Sequence, residues 1–84
     1  MLTPEEFIQH GQDSPWFVFF GSKNSVKSES FTSTWIEFQE QADKESLTDT
    51  INIGKVECTH YAVFCKENKI ERFPTLILYV FSFL

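Results

Sequence analysis

The sequence predicts a three-layer α/β domain, and three observations lead there. The run Trp16-Phe17-Val18-Phe19-Phe20 has no polar face, as a central strand covered on both sides requires. Phe31, Trp35, Phe38 and Ala42 recur at offsets of four, seven and eleven, which is one stripe of an amphipathic helix. Helix-like and strand-like segments alternate along the chain, and their short connections call for right-handed crossovers between parallel strands.

Thr3-Pro4-Glu5-Glu6 combines an N-cap hydroxyl, a proline at the first helical position and a glutamate three residues after the cap. A short helix is predicted from Pro4 to His10, ending at Gly11. The turn-like Gln12 to Pro15 then leads into the strand Trp16 to Phe20. Gly21 to Asn24 is a polar break, after which Ser25 or Asn24 caps a long helix reaching Asp43. Ile51 to Cys58 is β-branched enough for a second strand. Thr59 is placed to cap the next helix, whose apolar side is Tyr61 or Ala62, Phe64 and Cys65. Pro74 breaks that helix and opens a third strand, Thr75 to Tyr79. No linker, repeat or low-complexity tract interrupts residues 1–84, so a single domain is expected.

Composition narrows the function. Twelve acidic against seven basic residues give a net charge of -5. Neither Lys nor Arg forms a run that tracks a phosphate backbone, which excludes nucleic acid as the expected partner. The most apolar stretch, Leu76 to Leu84, is far shorter than the roughly 20 residues of a membrane span. Met1 to Glu6 has neither the basic nor the apolar region of a secretory signal. Cys58, His60 and Cys65 match no usual zinc spacing, and no cofactor or metal is expected. His10 and His60 are the only histidines, and nothing in the sequence brings either beside Ser25, so a serine hydrolase is disfavoured.

The stretch from Trp16 to Thr75, roughly three-quarters of the chain, resembles the thioredoxin-like domains of the protein disulfide isomerase family. The resemblance rests on a W-F-V-x-F strand leading into a helix that carries Thr34-Trp35, and on the strand Gly54-Lys55-Val56-Glu57-Cys58-Thr59. A helix with Cys65 follows, and Arg72-Phe73-Pro74-Thr75-Leu76 is similar to the family's cis-proline turn. Aligned without gaps, Ser25-Val26-Lys27-Ser28 stands at the place of the reactive C-x-x-C. That chemistry needs a thiolate at the helix start and a second thiol one turn on. Both are serines here. The same register puts Phe19 where the family keeps a buried proton-relaying carboxylate, while Lys55 resembles that group's usual partner.

The resemblance therefore implies a redox-inactive module, with no catalytic residue, that binds polypeptide substrates or supports a neighbouring domain in protein folding. A residual thiol-disulfide oxidoreductase working through Cys58 and Cys65 is the alternative. Peptide contact falls to Arg72, Phe73 and Pro74, facing the loop that leads to Val26. Cys58 and Cys65 match a second cysteine pair that forms a structural disulfide in some family domains; two buried free thiols are the other reading. If bonded, Cys58 must lie before the helix, because seven residues of helix would separate the Cα atoms by about 10 Å. The family's compartment is the endoplasmic reticulum lumen. Relative to a full family domain, the chain lacks the first strand, the last hairpin strand and the C-terminal helix. Self-association through the apolar segment 75–84 is the expected consequence.

Overall fold

A computed structural model describes residues 15–80, and the helix predicted from Pro4 to His10 lies outside them. Strand β1 spans Trp16–Gly21, helix α1 Val26–Lys44, strand β2 Asn52–Glu57, helix α2 Ala62–Glu67 and strand β3 Thr75–Tyr79. The strands form a three-stranded sheet in the order β2-β1-β3, with β1 in the middle as its two apolar faces require.

Alternation along β1 feeds two layers. Trp16, Val18 and Phe20 join Val56, Cys58, Cys65 and Ile70 in the core beneath α2. Phe17 and Phe19 project to the other face and meet Phe31, Trp35 and Phe38 of α1. Trp35 anchors this layer at 1% exposure, its ring centroid 5.3 Å from that of Phe19 and 5.6 Å from that of Phe17. Such tilted aromatic pairs each add roughly 0.5–1.5 kcal/mol beyond the area they bury. The predicted stripe runs longer than expected at its start, because Ser28 is buried along with Trp35 and Ala42.

Local chemistry sets the helix ends. Ser25 is extended, with φ -103° and ψ 119°, and its Oγ accepts the Ser28 amide at 3.2 Å, which fixes the start of α1. The helix ends one residue beyond Asp43, at Lys44, and Ser46 at φ 59° turns the chain out of it. A short 3-10 turn over Leu47–Asp49, which the sequence did not signal, then carries the chain to β2.

Two expectations are corrected. The N-cap of α2 is Tyr61 rather than Thr59, with no side-chain cap bond, because the Thr59 hydroxyl is drawn away to Glu57. Ala62 is exposed, so the apolar side of this helix is Tyr61, Phe64 and Cys65. The sheet is also mixed and not all parallel: β1 pairs β2 in parallel and β3 in antiparallel. The chain stays at one end, where Glu57 pairs with Gly21 and Thr75 with Phe20, and β3 re-enters from that end in the opposite sense.

Candidate functional site at the head of helix α1

The end of β1, the start of α1 and the turn before β3 converge, and three serines are spent on backbone. Ser22 N–H donates to Ser28 Oγ at 2.9 Å, and Asn24 N–H donates to Ser22 Oγ at 3.2 Å. Ser25 Oγ accepts from Ser28 N–H and makes a long 3.5 Å contact, as donor, with the carbonyl oxygen of Phe73. Ser25 thus touches the residue that precedes Pro74, and the Phe73–Pro74 peptide is cis. Gly21 makes room for this arrangement. A Cβ there would stand 2.8 Å from Ser28 Oγ and 3.0 Å from the Phe19 ring, so any side chain would displace the buried hydroxyl.

Val26 and Lys27 project to solvent on the first turn of α1, Val26 at 82% exposure. Ser28 is 2% exposed and engaged. Phe19 is fully buried, with its ring edge-on to Phe31 at 5.2 Å and Lys55 Nζ 5.3 Å from its centroid. Where the resemblance places a carboxylate and its lysine, the structure thus holds an aromatic ring with the lysine over its face, a cation–π contact. Arg72 is exposed and its carbonyl accepts the Thr75 hydroxyl, whereas Phe73 and Pro74 are half-buried. His60 is exposed, and His10 lies outside the described residues. Among the described residues no group of three or more His, Cys, Asp or Glu side chains is arranged to hold a metal ion.

Cys58 follows the last residue of β2, Cys65 lies in α2, and their sulfurs are bonded. Their Cα atoms are 5.8 Å apart, within the usual span of a disulfide. The cysteines are 6% and 3% exposed, and both line an open pocket of about 400 Å³ that Phe73 shares. The two candidate features, the serine loop and the disulfide, therefore adjoin one turn.

Glu57 is the site residue that sequence reasoning missed. At 7% exposure its Oε2 accepts Lys23 N–H at 3.0 Å, Thr59 N–H at 3.2 Å and Thr59 Oγ1–H at 2.8 Å. One carboxylate thus ties the loop before α1 to the loop before α2. Burial pushes its carboxyl upward, but the Thr59 hydroxyl, the two amides and the charge of Lys55 outweigh that and hold it below the usual value. The available signal was an acidic residue at the end of an otherwise buried strand, two residues before a threonine.

No protein-family model matches the chain. Among curated proteins it is 26% identical over 76 residues to Thioredoxin domain-containing protein 5 homolog of Drosophila melanogaster, covering 90% of this chain and 18% of that protein. It is 29% identical over 82 residues to DnaJ homolog subfamily C member 10 of Mus musculus, covering 93% of this chain and 10% of that one. The chain thus spans less than a fifth of the length of these relatives. Among solved structures, the first two thioredoxin domains of Saccharomyces cerevisiae Eps1p superpose with a TM-score of 0.84 at 28% identity, over 94% of this chain and 30% of that one. ERdj5 in crystal form I superposes with a TM-score of 0.78 at 30% identity, over 99% of this chain and 11% of that one. The fold is thioredoxin-like.

Proposed function

We propose that this chain is a non-catalytic thioredoxin-like module of a protein disulfide isomerase relative, which binds polypeptides or supports a neighbouring domain during protein folding. The observation that carries the reading is the engagement of the two hydroxyls at the head of α1. Ser25 caps the helix and Ser28 holds the Ser22 amide, so the place of a reactive dithiol is occupied by structural hydrogen bonds. A hydroxyl has neither the acidity nor the two-electron couple that disulfide exchange requires. Burial of Phe19 in place of a proton relay supports the same reading. The half-buried Phe73–Pro74 turn and the strand edge it opens support a polypeptide ligand held by strand addition. The small share of each relative that the chain spans supports a module of a larger protein. A disulfide suits an oxidising compartment such as the endoplasmic reticulum lumen.

Two assays on the purified chain test this together: insulin reduction by dithiothreitol, followed by turbidity, and binding of a reduced, carboxymethylated polypeptide. The expected result is binding with no acceleration of reduction. Acceleration at catalytic amounts overturns the proposal. The rival reading, exchange through Cys58 and Cys65, is favoured by the place of both in the lining of one open pocket, and turnover that vanishes in Cys58→Ala would establish it.

A further inference from the structure

Helix α2 closes with a lysine where such turns ordinarily hold a glycine. Lys69 N–H donates to the Lys66 carbonyl and Ile70 N–H to the Cys65 carbonyl, both at 3.0 Å, which is the paired bonding of a Schellman turn. Lys69, the residue after the C-cap Asn68, has φ 60°. A Cβ is disfavoured in that left-handed conformation and glycine is free in it. The turn itself therefore gives no reason for a lysine, and a conformational outlier of this kind points to a role outside the turn.

Its surroundings supply one. Lys69 and Lys66 stand at the rim of the pocket of about 400 Å³ whose apolar lining includes Ile70, Phe73 and the Cys58–Cys65 disulfide. Glu71 is the single acidic residue of the lining, against two ammonium groups. Both lysines are exposed, and among the described residues neither makes an ion pair. The whole chain carries a net charge of -5, so this rim is a local reversal of the prevailing sign. An acidic ligand is repelled by most of the surface and attracted here.

We propose that this pocket takes an acidic side chain of an extended polypeptide, its carboxylate between Lys66 and Lys69 and the neighbouring apolar side chain on Ile70 and Phe73. The inference rests on the polypeptide-binding reading and deepens it, by naming the kind of segment the module selects. Phe73 links the two, since it belongs both to the turn that meets Ser25 and to the pocket. Two solvent-exposed ion pairs of this type change affinity by about fivefold to tenfold together, and salt weakens them.

Fluorescence anisotropy with a dye-labelled octapeptide of alternating leucine and aspartate tests the assignment, with the asparagine analogue as control. The aspartate peptide binds about fivefold or more tightly than its analogue. That difference disappears in the Lys66→Gln/Lys69→Gln double variant and shrinks at about 0.5 M salt. Lys69→Gly supplies a readout that a merely structural lysine would not give: its thermal midpoint rises while its preference for the aspartate peptide falls. Equal binding of the two peptides, or a preference unchanged in the double variant, overturns the lysine assignment and leaves the polypeptide-binding reading standing. Failure of both peptides and of the carboxymethylated polypeptide overturns the two together.

Discussion

Reduction of the Cys58–Cys65 disulfide is the perturbation whose effect follows most directly from the structure. The bonded residues are seven apart, so the bridge closes a loop of eight residues. On the chain-entropy description, releasing that loop in the unfolded chain costs about 2.5 kcal/mol at 25 °C. The reduced sulfurs stay in their buried places as small hydrophobes, so little packing is lost in the folded state. In a domain of this size each kcal/mol moves the thermal midpoint by roughly 4–8 °C, which gives a fall of about 10–20 °C. Helix α2 should feel it first, since an isolated helix of six residues is far below the length that is stable in water. Far-ultraviolet circular dichroism of thermal unfolding, with and without a phosphine reductant, reads the midpoint. Urea unfolding adds a diagnostic slope: if the stabilisation acts through the unfolded chain, the reduced protein exposes more surface and its m-value rises. A midpoint unmoved by reductant refutes this reasoning. So does alkylation of both cysteines, without prior reduction, in protein isolated from an oxidising compartment.

Other perturbations address the remaining parts of the site. Ser25→Cys with Ser28→Cys will yield a titratable dithiol but feeble isomerase turnover, because buried Phe19 leaves no carboxylate to move protons; rates matching an active domain would remove Phe19 from the argument. Glu57→Gln will cost about 1–2 kcal/mol at neutral pH through weaker hydrogen bonds to Lys23 and Thr59, read by chemical denaturation. Because the folded carboxyl lies below its unfolded value, the Glu57 contribution is complete at neutral pH and is lost as the pH falls through and below the usual carboxylate range; the variant should lack that part of the acid-side decline. Leu76 and Leu78 on β3, an edge strand among the described residues, and Val80 just beyond it, at 43%, 53% and 63% exposure, favour association of the isolated chain, and light scattering at micromolar concentration should detect it. Leu78→Lys should reduce that association, and a wild-type chain that remains a dispersed monomer would show that the edge is protected.

Much of the architecture was legible because it rests on short-range pattern. The apolarity of Trp16 to Phe20 on both faces could be satisfied only in the middle of a layered sheet, and that is where β1 lies. The stripe through Trp35 identified α1 to within a residue of its end, and the cap was readable as Ser25 or Asn24, of which the structure uses Ser25. The site was legible in part for a different reason. Ser25 and Phe73 are 48 positions apart, and only the likeness of two separate motifs to one family brought them together before the structure did.

Tertiary structure decided what depends on where a chain goes after a segment ends. The sense of β3 follows from the end of the sheet at which the chain re-enters, where Thr75 pairs with Phe20 and Glu57 with Gly21, and no local propensity encodes that. Thr59 has the chemistry of a cap, yet the nearer Glu57 carboxylate claims its hydroxyl, so competition between partners in space overrode a correct local preference. Glu57 had only a faint local signal for the same reason: its donors are on Lys23 and Thr59, 34 and 2 residues from it in the chain, and its role exists only once both loops close over it. Among the described residues the sequence by itself determined the three strands and the two α-helices, since burial pattern is a periodic local signal. The direction of the last strand, the capture of Thr59 and the pocket beside the disulfide were decided by the fold, because each depends on distances between groups that the chain order keeps apart.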